Sequence, residues 1–505
     1  MSVNEADTGR LRTAASSRIR SMLLEKKTHA RPEWKDELAR ISLVDLAHVV
    51  MLTERGVIDA DVAASLLAAV VDLRRQSFVP LEGRPTPRGL YLAYEGHLIE
   101  RLGDGVGGVL HTGRSRNDLN ATCFQLALRE PFIRLGSELA ALGVVLLNRA
   151  RRYRELPMAA YTHFQGAVPV TFGHYLLGLA AALERDLAAL LQAAAALDRC
   201  PLGAGAVGGT TVPIDAGRTA DLLGFTGRVR NSIDAVASRD AALRLVSAAA
   251  VLGVTLDRAA LDLLLWSSRE YGYVTIPDGL VGSSSMMPQK RNPFVLEHVQ
   301  GRSAMALGAF VTAAGAMRGT PFTNSIAVGT EAVGPIIPAL LATADATEIL
   351  RLAYAGLRPN PAAMATGAEA ALTEATAVAE LLALAGTPFR RSHHEVGAGV
   401  RAVLEGDAGS LWEAVALGTR FPDKTRAELE PRAIWRAAEF GAGPGPASFD
   451  RVFPELVGDW MRHRATLAER RARWSEADLR LAAAVDRLQA AEGAATTKED
   501  ADVQS

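Results

Sequence analysis

Long stretches rich in alanine and leucine and poor in proline constrain this chain more than any other feature. "NSIDAVASRDAALRLVSAAAVLGVTLDRAALDLLLWSS", Asn231 to Ser268, has no proline; at about 1.5 Å per residue it predicts one helix of roughly 55 Å. Similar windows run from Asn117 to Arg154, Val170 to Arg199, Phe294 to Met317 and Glu331 to Leu357. Several are apolar around much of their circumference, so an isolated chain would expose too much of them. They are expected to pack against one another and against other subunits, as an all-α oligomeric bundle.

The remaining chain divides around that bundle. Residues 1–115 are expected to form a smaller helical unit, with strand-like pieces near "GVGGVLHT". Residues 116–358 form the long-helix unit. The break at "PNPAAM" opens a third unit of shorter helices over 359–470, and 471–505 reads as a helical and then disordered tail, polar from about Ala490.

Among 505 residues, 55 are basic and 56 acidic, with no basic tract. That balance argues against nucleic-acid and membrane-surface partners, and any cation for an anionic ligand must be concentrated locally. Cys123 and Cys200 stand in no metal-ligand spacing, as expected of a reduced cytoplasmic protein. The opening "MSVNEADTGRLRT" lacks the apolar core of a signal peptide. "SAMALGAFVTAAGAM", between Arg302 and Arg318, is too short to span a bilayer.

Four loops beside expected helix ends concentrate the polar residues. "HTGRSRNDLN" puts Arg114, Ser115, Arg116 and Asn117 where a helix begins, which suits an anion but equally suits a capping loop. "YTHFQGAVPVTFGH" offers Thr162, His163 and Gln165 ahead of a helix expected near Val168; the histidine is a proton-transfer candidate or a packing residue. "PLGAGAVGGTTVPID" lacks the Gly-Lys-Ser/Thr ending of a P-loop, so its glycines suggest close backbone approach instead. In "GSSSMMPQKRNP", Gly282 to Pro293, serines and backbone amides stand beside Lys290 and Asn292. That is more chemistry than a polar linker needs.

Taken together, "LHTGRSRND", "YTHFQGAVPVTFGH", "PLGAGAVGGT", "NSIDAVASRD" and "MPQKRNP" resemble, in the same order, motifs of the argininosuccinate lyase family of the fumarase/aspartase superfamily. The likeness covers roughly Asp45 to Arg464. It implies a three-domain, all-helical homotetramer with active sites shared among three subunits. The implied chemistry releases fumarate, a small dicarboxylate, from a nitrogen-linked succinyl group, without metal or organic cofactor. By resemblance Ser284 is the base, with Ser283 the alternative. Lys290 supports the alkoxide, and His163 serves the leaving nitrogen. Ser115, Arg116, Asn117, Thr162 and Asn292 hold the succinyl carboxylates, and Gln165, Ser285, Met287, Phe294 and Asn324 complete the substrate-facing set.

The departures gather on one side of that site. Phe294 stands where the family has aspartate, and Asn324, Gly329 and Ala332 where it has Tyr, Gln and Lys against the amino-acid end of arginine. Asp45 and Tyr91 also depart from the early motifs. The expectation is a lyase that keeps the succinyl half and rebuilds the amine half, so that the amine is not arginine. An ordinary argininosuccinate lyase and a non-catalytic, lens-type structural protein are the competing readings.

Overall fold

The computed structural model describes residues 34–86, 89–370 and 372–503, with side chains to residue 490. The opening "MSVNEADTGRLRT" lies outside them. An N-terminal unit holds α1 (Trp34–Glu54), α2 (Ala60–Arg75) and α3 (Leu90–Leu102). The long helix α4 (Arg116–Arg152) leads into a hairpin of β1 (Pro157–Thr162) and β2 (Gln165–Thr171), then α5 (Phe172–Ala193). A short α6 (Ser232–Ala237) precedes α7 (Asp240–Ser267), α8 (Phe294–Met317) and α9 (Ile336–Gly356). The third unit contains α10 (Pro361–Ala370), α11 (Ala375–Leu384) and α12 (Phe389–Glu405), and α13 (Pro446–Val503) closes the chain.

Three apolar cores organise these elements. The largest joins α4, α5, α7, α8, α9 and the first half of α13. A second joins α1 to α3, the start of α4 and the Leu481–Val485 stretch of α13. A third lies within residues 378–417. Helix α13 therefore passes from the first core to the second without a break at residue 470 or 471. Its backbone is helical to Val503, where polar composition led to an expectation of disorder.

Small residues set the closest contacts. A Cβ on Gly143 of α4 would come within 2.6 Å of the Trp460 ring, and one on Gly253 of α7 within 2.6 Å of the Ser303 carbonyl of α8. Glycine is what lets these helices approach so closely. Residues Ala327–Gly356 are long and apolar enough to cross a bilayer. Yet α9, their main part, packs against α4, α7 and α8 in the largest core. Outward, Val251, Val254 and Leu261 of α7, Met305, Leu307 and Val311 of α8, and Leu352 of α9 remain exposed.

Three local expectations need correction. The Asn231–Ser268 window is two helices, because Ser238 is extended between α6 and α7. Its hydroxyl donates to Asp240 Oδ1 at 2.7 Å, and Arg239 Nη1 donates to the Ser238 carbonyl at 2.7 Å, so local bonds replace helical ones. No helix starts at Val168; that stretch is β2, whose Val168 and Val170 pair with Ala160 and Met158. "GVGGVLHT" completes a helical turn, Asp104–Gly107, and continues as turns over 108–112 rather than as a strand. A Cβ on Gly107 would lie 2.7 Å from the Ile99 backbone, so the segment folds onto α3.

Candidate active site

The start of α4 is built as a rigid platform. Ser115 is its N-cap, accepting the Asn117 N–H at 3.3 Å. Asp118 accepts the Ser115 N–H at 2.9 Å and the Leu119 N–H at 3.0 Å on one oxygen. Its other oxygen accepts the N–H groups of Gly203 and Gly205 at 3.0 and 2.8 Å. One carboxylate thus fastens the glycine-rich loop to the helix start, and Asn117 Nδ2 adds a bond to the Ala206 carbonyl at 3.3 Å. The glycines approach their own chain. Arg116 and Asn117 stand on the first turn, where helix amides favour an anion.

A buried polar cluster supports this platform from beneath. Arg114, fully buried, pairs with the equally buried Asp45 and lies over the Tyr91 ring at 5.8 Å. The Tyr91 hydroxyl donates to Glu95 at 2.9 Å and meets His111 Nδ1 at 2.8 Å. Burial, then the charge of Arg114, pushes His111 down to about 4 and His48 down to about 3. Neutral His48 donates through Nε2 to the Thr112 carbonyl at 2.8 Å. Asp45 and Tyr91, departures in the sequence, are therefore the partners of one arginine. The sequence did not single them out as a coupled pair.

The second half of the site lies at the other end of the bundle. The His163–Phe164 turn joins β1 to β2, with Thr162 paired to Gln165. Both turn residues have positive φ, 53° and 61°, which suits the twist of a two-residue hairpin but strains non-glycine residues. Thr162, His163, Phe164 and Gln165 are all exposed. Arg149, in the last turn of α4, donates to the Ala355 carbonyl at 2.9 Å, bringing the end of α9 to this end of the bundle.

The serine loop sits there too. Gly282 and Asn292 exchange two backbone bonds of 2.8 Å, which close residues 283–291 into a loop ahead of α8. Arg291 anchors its base through Asp278 at 2.5 Å and the Ile276 carbonyl at 3.2 Å. Ser284 Oγ accepts the N–H groups of Met286 and Met287 at 3.3 and 3.1 Å. No such bond reaches Ser283 or Ser285 among the described residues. Two donors aimed at one hydroxyl oxygen favour its deprotonated form. Ser285, Met287 and Lys290 are exposed, and Lys290 forms no ion pair among the described residues. Phe294 is 44% exposed, its ring lying over Gly282.

One chain therefore carries Ser115, Arg116 and Asn117 at one end of α4, whereas Thr162, His163 and Gln165 on the hairpin and Ser284, Ser285, Met287, Lys290, Asn292 and Phe294 on or beside the serine loop lie toward the far end, with no hydrogen bond between hairpin tip and loop among the described residues. The 37 residues of α4 separate the two groups by about 55 Å. Asn324 belongs with the first group, beyond the C-terminus of α8. There a Cβ on Gly329 would lie 3.7 Å from both Asn324 Oδ1 and Arg239 Nη2. The segment carries a π-helical turn, Ala327–Glu331, a distortion frequent at functional sites. Arg239 was not marked by the sequence as a site residue; its one signal was its place in "NSIDAVASRD", a motif that carries the resemblance.

Comparison with known proteins places these features in a family. Residues 84–308 match a family model described as lyase. An argininosuccinate lyase of Methanothrix thermoacetophila is 35% identical over 456 residues, 88% of this chain and 92% of that protein. The crystal structure of EDDS lyase in complex with formate superposes with a TM-score of 0.82 at 26% identity, covering 95% of this chain and 97% of its own. An EDDS lyase variant with bound fumarate gives 0.80 at 26% identity, covering 94% and 99%. On this evidence the chain belongs to the argininosuccinate lyase family of the fumarase/aspartase superfamily, and it is a carbon–nitrogen lyase.

Proposed function

We propose that this lyase releases fumarate by β-elimination from an N-substituted L-aspartate whose amine is not arginine. It works as a homotetramer in which each site takes parts from several chains. The observation that carries this reading is the contrast between the two halves of the substrate-facing set. The succinyl half keeps the α4 start, an uncommitted Lys290 and a Ser284 hydroxyl bonded by two amides. The amine half has Phe294, Asn324, Gly329 and a fully buried Ala332. The named relatives cleave or carry dicarboxylate-type ligands, argininosuccinate in one case and bound fumarate in another. The exposed apolar faces of α7, α8 and α9 support assembly, since contiguous apolar surface marks association.

In this mechanism Ser284 Oγ removes the proton beside a carboxylate of the succinyl group. Lys290 and loop amides stabilise the dianion as it develops. The carbon–nitrogen bond then breaks, and His163 delivers a proton to the departing amine. Small residues give the serine loop room to close over the substrate. The reverse reaction adds an amine to fumarate.

The 35% identity to an argininosuccinate lyase favours a second reading, ordinary cleavage of argininosuccinate. Fumarate absorbance with argininosuccinate as substrate decides between them. The expected kcat/KM is about 10⁴-fold or more below that of an arginine-pathway enzyme, because buried polar contacts to the amine have been removed. Turnover within tenfold of such an enzyme would reject the rebuilt amine half.

A further inference from the structure

The turn that carries His163 needs an anchor that its own residues do not supply. His163 and Phe164 both hold positive φ, a conformation that non-glycine residues keep only where the surrounding structure fixes it. Yet both are exposed, Phe164 by 74%, and the His163 ring makes no hydrogen bond among the described residues. Thr162 and Gln165 beside them are exposed as well. Going back along β1, the first side chain that other elements hold is Tyr161. A bulge aims it: Ala160 pairs with Val168 and Tyr161 with Gly166, so Ala167 is left over between them. Such an extra residue bends the strand pair and redirects the side chain beside it.

Tyr161 reaches into a cluster of tyrosine rings at the foot of the hairpin. Its hydroxyl meets that of Tyr273 at 2.5 Å, and its ring centroid lies 6.0 Å from that of Tyr271 and 6.4 Å from that of Tyr273. Tyr273 is the fixed member, with only 4% of its surface exposed. Its N–H donates to the Trp266 carbonyl at 2.9 Å, and its carbonyl accepts the Asn360 N–H at 2.8 Å. A Cβ on Gly367 of α10 would start 1.9 Å from the Tyr273 hydroxyl oxygen, so glycine is what leaves that oxygen its place against α10. The hairpin is thereby tied to the end of α7 and to the start of the third unit through one pair of oxygens. Packing alone does not ask for this. Phenylalanine would fill nearly the same volume and leave no hydroxyl to satisfy.

We infer that Tyr161 and Tyr273 are positioning residues for the elimination: their hydroxyl pair pins the last held point of β1 and so fixes where the His163 ring stands as the amine departs. The inference rests on the role given to His163 above, and it adds two residues that act through that ring rather than on the substrate. Misplacing a catalytic group by about 1 Å costs on the order of 100-fold in rate, which sets the scale of the effect.

The test uses full-length enzyme, fumarate and a panel of methylamine, ethylenediamine, L-lysine and L-arginine, with adducts quantified by mass. The amine that wild type adds fastest carries the series. Tyr161→Phe and Tyr273→Phe, which lose only a hydroxyl, should each lower kcat by about 30-fold with KM for fumarate within about threefold. Combining them should cost no more than either alone, since the same bond is lost in each case. In a His163→Gln background, Tyr273→Phe should cost less than about twofold, because nothing is left to position. Tyr271→Phe keeps its ring in the cluster and touches neither hydroxyl of the pair, so its kcat should match wild type. A loss that persists undiminished without His163 would mean that the pair only holds the fold, and would overturn the inference while sparing the lyase reading. So would full activity in both hydroxyl variants. A wild type that adds none of these amines to fumarate would overturn both.

Discussion

The two ends of the helical bundle are built by opposite rules. At the α4 start, four backbone amides converge on Asp118, and Arg114 is locked between Asp45 and Tyr91. At the far end the hairpin tip and the serine loop are exposed, held mainly by a strained turn and one backbone bridge. Binding platforms need rigidity, whereas loops that close over a substrate come from weakly held segments. On the shared-site reading proposed above, the far end would acquire its constraints from another copy of the chain.

The largest effect breaks that comparison directly. Ser284→Ala should lower fumarate release by about 10³-fold or more, with little change in thermal midpoint, since the hydroxyl bonds only two loop amides. Asn117→Ala, at the opposite end, should be comparably inactive. Refolded together, the two variants form mixed assemblies in which an intact platform of one chain meets an intact serine loop of the other. Activity at least tenfold above either parent is expected. No recovery in verified mixed tetramers would mean that each chain completes its own site.

A smaller effect sharpens the contrast in rigidity. Arg114→Met leaves Asp45 ionisable and unpaired in the interior, which should cost about 3–5 kcal/mol. Lys290→Met removes an exposed ammonium with no ion pair among the described residues and should change stability by less than about 0.5 kcal/mol while reducing activity. Thermal or chemical denaturation of both variants reads this directly. Equal losses would show that the serine loop is as firmly built as the platform.

How much of this was legible before the structure depends on which end is considered. Local signals carried the platform's outline: Ser115 ahead of a helical window with Asp118 three residues later is a capping pattern, and it folds as one. The long windows gave the bundle, because alanine and leucine periodicity needs no distant partner to be read. The break at Ser238 was missed since it depends on side-chain bonds from Arg239 and Asp240, which compete locally with a good helical composition. The hairpin was missed for a related reason. Val168, Pro169 and Val170 form a strand only because residues 158–160 pair with them across a turn no glycine announces. The Asp45–Arg114–Tyr91 cluster joins residues far apart in sequence, and nothing in one sequence links them.

The smallest effect tests whether the platform's burial extends to its histidines. Removal from water, with Arg114 nearby, holds His48 at about 3 in the folded chain against an ordinary value near 6.5. Between those values the unfolded chain takes up a proton that the folded one refuses, so stability falls as pH drops from about 6.5 toward 3 and is flat above it. The contribution reaches about 1.4 kcal/mol per pH unit. His48→Gln keeps a donor for the Thr112 carbonyl but cannot titrate, so its thermal midpoint should fall less than that of wild type between pH 7.5 and pH 5.0. His111, lowered to about 4 by the same causes, keeps its own share of the slope, so the variant's dependence shrinks without vanishing. Identical slopes would mean that water reaches His48, and that the α4 start is looser than its hydrogen bonds imply.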